Sequence, residues 1–226
     1  VRQRTWTVVV PVKRLGVAKS RLRGALPGVP HEELALALAA DTVAAVRACP
    51  AVAGVVVVTR DARVAAAVRA ADVRVVPDAP DAGLNAAFRL GAVIAADGGG
   101  WVAGLTADLP ALRPAELAAA LRAIAAGPPG VRRFVADAPG AGTVLLAAPP
   151  GVPLDPRFGV GSAGAHEAGG ALPLAGDWPT LRRDVDTAAD LAAAARLGLG
   201  PRTAALTGVT HLVDGTGATE PAGRAG

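Results

Sequence analysis

Short, almost unbroken apolar runs alternate with helix-like stretches through the first half of this chain. That alternation limits the possible folds more than any other feature. Residues 5–12 (TWTVVVPV), 54–59 (GVVVVT), 73–76 and 101–105 lack polar alternation, the pattern of strands buried on both faces. Between them, residues 31–49 place apolar side chains at helical spacing, with Glu32 and Glu33 in the first turn, where carboxylates favour the positive helix end. Residues 61–71 read as a short helix capped by Asp61, and 84–97 as another. Pro114 opens a further helix at a position that tolerates proline. Strand and helix in strict alternation predict a mostly parallel, Rossmann-like α/β sheet covered on both faces. The pattern then changes. Residues 132–136 and 143–148 are strand-like and flank Asp137-Ala138-Pro139-Gly140, which predicts a small antiparallel, hairpin-like element. Residues 155–164 (DPRFGVGSAG) read as a Gly-rich loop and 188–197 as a helix. The expected organisation is one domain over residues 1–207, followed by a disordered tail over 208–226, where Gly, Thr and Ala recur without period.

Charge narrows the class of ligand. The first 24 residues hold seven basic groups (Arg2, Arg4, Lys13, Arg14, Lys19, Arg21, Arg23) and no acid, within a chain of formal net charge +4. A local positive field on an otherwise mildly acidic body suits a bound polyphosphate better than a nucleic-acid track. No aromatic residues interleave with these cations, so single-strand stacking is not supported. The single Cys49 excludes an internal disulfide framework and a cysteine-built zinc site. No apolar run approaches the roughly 18 residues that span a bilayer. No secretory apolar region follows the basic start, so the chain is expected in the cytoplasm. Nothing in the sequence fixes the oligomeric state.

In open α/β sheets, ligands bind beyond the carboxyl ends of the strands, and three motifs fall there. The first is Pro11-Val12-Lys13 through Ala18-Lys19-Ser20-Arg21-Leu22, after the first strand. Lys13, Lys19 and Arg21 suit a polyphosphate, with a solvated basic loop as the alternative. The GxxxxGK[ST] spacing of a P-loop is absent. The second is Asp108 in ADLP, at the tip of the fourth strand, either a ligand of a hard cation or a turn residue. The third is the pair Asp184 and Asp186. Two residues apart on an extended segment, they share a face and need a cation or an arginine between them. Arg182 and Arg183 would serve as well as a metal. Gly83 permits close backbone approach and Asn85 can read a base or sugar edge, or both simply open a helix. Phe158-Gly159-Val160-Gly161-Ser162 resembles an amide-lined anion cradle, to which Thr143 adds a hydroxyl. His166 lies four residues past Ser162 and faces either the substrate or the core.

The set VPVK…AKSRL, VVVTRD, GLNAA, ADLPAL, GT-x-LL, FG-x-GS…H and DVDTAADL, in this order over residues 6–198, resembles the 2-phospho-L-lactate or phosphoenolpyruvate guanylyltransferase family of deazaflavin coenzyme F-420 biosynthesis. Through it, the chain is similar to the wider glycosyltransferase-A-like nucleotidyltransferases. The resemblance implies that the phosphate of a three-carbon acid attacks the α-phosphorus of GTP and diphosphate leaves. It implies Mg²⁺ on Asp108 and Asp184 with Asp186 as a helper, and Lys13, Lys19 and Arg21 on the triphosphate. Of these, Asp108, Asp184 and Lys19 are the expected catalytic groups. It implies the nucleoside at Gly83 and Asn85, and phosphoenolpyruvate at Thr143, Gly159 and Ser162. An unstable product would be handed to the next enzyme of the pathway. One position departs: many relatives carry Asn after the Thr of the GT motif, where this chain has Val144, which bears on the choice between phosphoenolpyruvate and 2-phospho-L-lactate. The alternatives are a molybdopterin or sugar-phosphate nucleotidyltransferase and a GTP-sensing module without catalysis. The first would show a Gly-rich loop in place of Pro11-Val12-Lys13, and the second would lack the three carboxylates.

Overall fold

The computed structural model describes residues 6–208 except 17, 19 and 80. Strand β1 (Trp6–Pro11) pairs in parallel with both β2 (Val52–Val58) and β4 (Trp101–Leu105), and β3 (Val73–Val76) continues in parallel beside β2. Strand β6 (Thr143–Ala148) runs antiparallel to β4, and β5 (Arg133–Ala136) returns antiparallel to β6. The two-residue β7 (Leu172–Pro173) lies parallel to β5. The order is β3-β2-β1-β4-β6-β5-β7. This is the expected mostly parallel α/β sheet with a small antiparallel element. The reversed strand β6 sits between β4 and β5 rather than at an edge.

Among the described residues the α-helices are, in chain order, α1 (His31–Arg47), α2 (Ala62–Ala67), α3 (Leu84–Ala96), α4 (Pro114–Ala126), α5 (Ser162–Ala168), α6 (Pro179–Arg182), α7 (Ala188–Leu197) and α8 (Pro201–Thr207). The valine run of β1 is continuous because both of its faces are covered. Val8 and Val10 pack with Ala39, Val43, Leu117 and Leu121 of α1 and α4. Val9 packs with Phe88 and Ala92 of α3 on the other face. A third cluster sets Leu34 and Leu38 of α1 against Val185, Leu191 and Ala204, so the C-terminal segment folds back over α1. Among the described residues no helix is long and apolar enough to cross a membrane.

Two expected elements change. The helix expected over 61–71 closes at Ala67, and a turn carries the chain into β3. The Gly-rich loop expected over 155–164 stops early, because α5 begins at Ser162 directly after Gly161, whose φ of 69° suits only glycine without strain. The tail from residue 209 onward lies outside the described residues. The order reverses between β1 and β4, since β2 and β3 lie to one side and β4 to the other. The crevice at their carboxyl ends is the place where this class of sheet binds ligands. Lys13 follows β1 and Asp108 follows β4, so they flank that crevice.

Candidate active site

The turn carrying Asp108 is held from two sides. Fully buried Thr42 of α1 donates to its own helix at Leu38 O (2.8 Å) and accepts the Leu109 N–H at 2.9 Å. On the other side, the Val185 N–H donates to the Asp108 carbonyl at 3.0 Å. That bond seats the Asp184–Asp186 segment directly against Asp108, although the two are far apart in sequence. The same segment is tied to the β5–β6 turn by a bond from Ala138 N to Arg182 O at 2.8 Å. Glu116 of α4 fixes its start by accepting from Thr180 N at 2.8 Å and Leu181 N at 3.3 Å.

Asp108 and Asp184 thus stand on adjoining backbone at the strand ends. Asp186 is exposed, and its N–H donates to Asp190 in the capping box that starts α7. Among the described residues no group of three or more His, Cys, Asp and Glu is arranged to hold a metal. The structure therefore brings two of the three expected carboxylate-bearing positions to one turn, and sets Asp186 at the helix start. Arg182 places its guanidinium on the carbonyls of Ala136 (2.8 Å) and Leu174 (3.1 Å), where it bolts the segment to β5 and β7.

The basic loop after β1 is also anchored. Asp61 caps α2 through the N–H groups of Arg63 and Val64, and its second oxygen accepts the Leu15 N–H at 3.0 Å. Burial pushes this carboxyl up, but the N–H groups of Leu15, Val64 and Arg63 together outweigh it and hold it below the usual range. Lys13 and Arg21 are exposed beside this loop, and Lys19 lies outside the described residues. Arg14 and Arg60 reach Asp81 at 4.0 and 3.8 Å, joining the loops after β1, β2 and β3.

The opposite half of the rim is built on β6 and α5. Ala163 N donates to Ala141 O at 3.1 Å, which draws Gly159, Ser162 and α5 towards Thr143. Thr143, Ser162 and His166 are all buried. Thr143 Oγ1 lies 2.9 Å from His166 Nδ1, and His166 Nε2 accepts the Arg157 N–H at 2.9 Å. His166 is therefore hydrogen-bonded at both ring nitrogens and not merely packed in the core. Burial first, then the charge of Arg157, lowers its pKa from 6.5 to about 4, against the opposing pull of Asp155.

Asn85 joins the two halves. Its amide donates to Phe158 O at 2.9 Å and its carbonyl accepts the Phe158 N–H at 2.8 Å. Phe158 also stacks on Phe88 with centroids 4.0 Å apart and meets His166 edge-on at 5.1 Å. The residue expected to read a nucleoside thus clamps the loop that precedes Gly159. Gly83, at φ 93°, makes the turn into α3. Val144 is wholly buried in the cluster on the α1–α4 face, whereas Thr143 bonds to His166, which contacts Phe158 of the opposite cluster.

Asp78 Oδ1, Thr106 Oγ1 and Asp137 Oδ1, which follow β3, β4 and β5 at this same rim, are buried and have no hydrogen-bond partner among the described residues. Elsewhere the same holds for His31 Nε2 and Thr203 Oγ1.

Residues 6–152 match the family model described as guanylyl transferase CofC like. The chain belongs to this guanylyl transferase family. It is 73% identical over 203 residues to a phosphoenolpyruvate guanylyltransferase of Salinispora arenicola, covering 90% of this chain and 94% of the relative. It is 56% identical over 213 residues to a protein of the same name in Geodermatophilus obscurus, covering 92% and 96%. Among solved structures, a CMP:2-keto-3-deoxy-manno-octonic acid synthetase in complex with CTP superposes with a TM-score of 0.54 over 85% of this chain and 98% of that one, at 16% identity. That likeness concerns the fold.

Proposed function

We propose that this member of the guanylyl transferase family joins GTP to phosphoenolpyruvate, releasing diphosphate and giving enolpyruvoyl-2-diphospho-5'-guanosine for coenzyme F-420 biosynthesis in the cytoplasm. The observation that carries the reading is the Val185 N to Asp108 O bond at 3.0 Å. It sets two carboxylate-bearing turns together at the switch point of the sheet. The donor set fits Mg²⁺, which takes one or two carboxylates and completes its shell with water and substrate phosphate. Asp108 and Asp184 would hold the ion, which when bound supplies positive charge against the repulsion between two anionic substrates.

The chain's own residues do the rest. Lys13 and Arg21 stand exposed on the basic loop after β1 and, with Lys19 of the same basic segment, receive the triphosphate. Gly83 opens α3 beside the nucleoside. Thr143, Gly159 and Ser162 hold the acid, so that its phosphate oxygen faces the α-phosphorus. A bond forms between that oxygen and the α-phosphorus, the α–β phosphoanhydride bond breaks, and its electron pair leaves on diphosphate. The attacking phosphate is already ionised near neutral pH, so the reaction asks for positioning and charge rather than a strong base. This agrees with a site whose one histidine is held neutral.

The test follows diphosphate release with Mg²⁺, each nucleoside triphosphate and each candidate acid, coupled to the next enzyme where the product decays. Release with GTP and phosphoenolpyruvate is expected. Release only with 2-phospho-L-lactate would reassign the acid, and release with neither would reject the reading. Asp108→Asn and Asp184→Asn are each expected to lower kcat by about 10²–10³, as the loss of a charge-stabilising group does. Full activity in either variant would remove that residue from its role.

A further inference from the structure

We infer that His166 is a positioning residue that makes the Thr143 hydroxyl a committed hydrogen-bond donor to an anionic oxygen of the acid substrate. This rests on the assignment of Thr143 to the acid subsite. The argument starts at the far side of the ring. His166 Nε2 faces the main-chain N–H of Arg157 at 2.9 Å, and a peptide N–H can only donate, so Nε2 must accept. A neutral imidazole carries one proton, which therefore resides on Nδ1. Nδ1 lies 2.9 Å from Thr143 Oγ1, so the ring donates and the hydroxyl oxygen accepts.

The proton of Thr143 is thereby turned away from the ring. Thr143 is only 5% exposed, and its hydroxyl makes no other hydrogen bond among the described residues. A buried donor needs an acceptor. Thr143 begins β6 at the rim, with Ala141 tied to Ala163 of α5 beside the Gly159–Ser162 turn. Phosphate and carboxylate oxygens accept and do not donate at neutral pH. The pair is thus set for an anion and against a group that must itself donate. Phe158 and Phe134 hold the imidazole by ring contacts at 5.1 and 5.9 Å, so the ring does not turn to exchange its two nitrogens. The charged groups around it are Arg157, Asp155 and Arg132. They leave it neutral, and the arrangement does not vary across the pH range in which the enzyme's substrates are ionised.

The experiment has two arms. Nitrogen-15 imidazole spectra of the wild-type protein without substrate report the tautomer directly, with the His166 resonances assigned by their loss in His166→Asn. The Nδ1–H form is expected, and the Nε2–H form would overturn the inference. This arm needs no turnover, so a protein inactive with phosphoenolpyruvate would sink the functional reading while the tautomer still judged His166. In the second arm, Asn at 166 keeps a side-chain N–H near the place of Nδ1–H, whereas Gln reaches the Arg157 side instead. Thr143→Val and His166→Gln are expected to raise KM for phosphoenolpyruvate about tenfold, the worth of one hydrogen bond to an anion, with kcat and KM for GTP little changed. His166→Asn is expected to stay near wild type. The reverse order, or equal rises in both KM values, would reduce His166 to a prop for the Arg157 loop.

Discussion

At the scale of single residues, the buried imidazole of His166 links the site to stability. Its pKa falls from 6.5 to about 4 in the folded chain, because burial and then Arg157 disfavour the charged form. Between those values the unfolded chain binds a proton that the folded chain refuses, so stability must fall as pH drops through that window. The contribution is complete above about 6.5 and lost by about 4. Urea unfolding at steps between these pH values is expected to show the wild type losing on the order of 2 kcal/mol more than His166→Asn, with the difference vanishing near neutrality. Carboxyl groups such as Asp61 also protonate as the acid limit is approached, but they do so in both proteins and cancel in the comparison. Parallel curves for the two proteins would mean that the ring charges as freely in the fold as in water. Of this network, the sequence raised Thr143 and the glycines as an expected anion cradle, because short hydroxyl and glycine residues cluster at strand ends. The tautomer was not legible, since it depends on a peptide N–H nine residues away that only the fold aims at the ring.

At the scale of elements, apolar runs located β3 and β4 to the residue, and proline located the start of α4, because these signals are local and strong. The helices α5, α6 and α8 were not anticipated. Each is seven residues or fewer, too short for periodicity to declare itself, and each is fixed by distant partners. Helix α8 shows how. Asp41 of α1, 4% exposed, accepts from Arg202 N at 3.1 Å and Thr203 N at 2.7 Å. It therefore caps a helix that begins 160 residues further along the chain. A propensity reading of α1 takes Asp41 as a flaw in an apolar helix, whereas the fold uses it as an anchor. Asp41→Ala leaves the buried Thr203 N–H and the part-buried Arg202 N–H without their acceptor, and a loss of about 2–3 kcal/mol is expected in urea denaturation. An unchanged midpoint would show that α8 is held by its apolar contacts with Leu34 and Leu38 alone. The pairing of Asp108 with the Asp184 segment was illegible for the same reason. No spacing rule connects them, and the family resemblance supplied the pair before the Val185 bond gave it a physical basis.

At the scale of the whole molecule, the two halves of the rim depend on how closely α3 lies on the sheet. That helix carries Gly83 and Asn85 at its start, and Asn85 holds Phe158 and with it the Gly159 turn. Its approach is set by Gly91. A Cβ there would overlap the Val9 side chain and come within 2.9 Å of Val58 Cγ2, and both valines are fully buried in β1 and β2. Neither strand can yield easily, because each is packed on its opposite face as well. The helix must therefore lift, by a few tenths of an ångström or more, and its N-terminal turn lifts with it. Gly91→Ala is expected to cost about 1–3 kcal/mol by overpacking. It should also raise KM for phosphoenolpyruvate, since the clamp on Phe158 loosens although no substrate-facing group has changed. Gly54→Ala is the control, because a Cβ at that strand position meets nothing within 4 Å and both stability and KM should hold. A Gly91→Ala protein that is destabilised but keeps its KM would show that Phe158 stays in place through its stacking on Phe88. The coupling between the halves would then run through the aromatic pair, and the Asn85 amide would be dispensable to it.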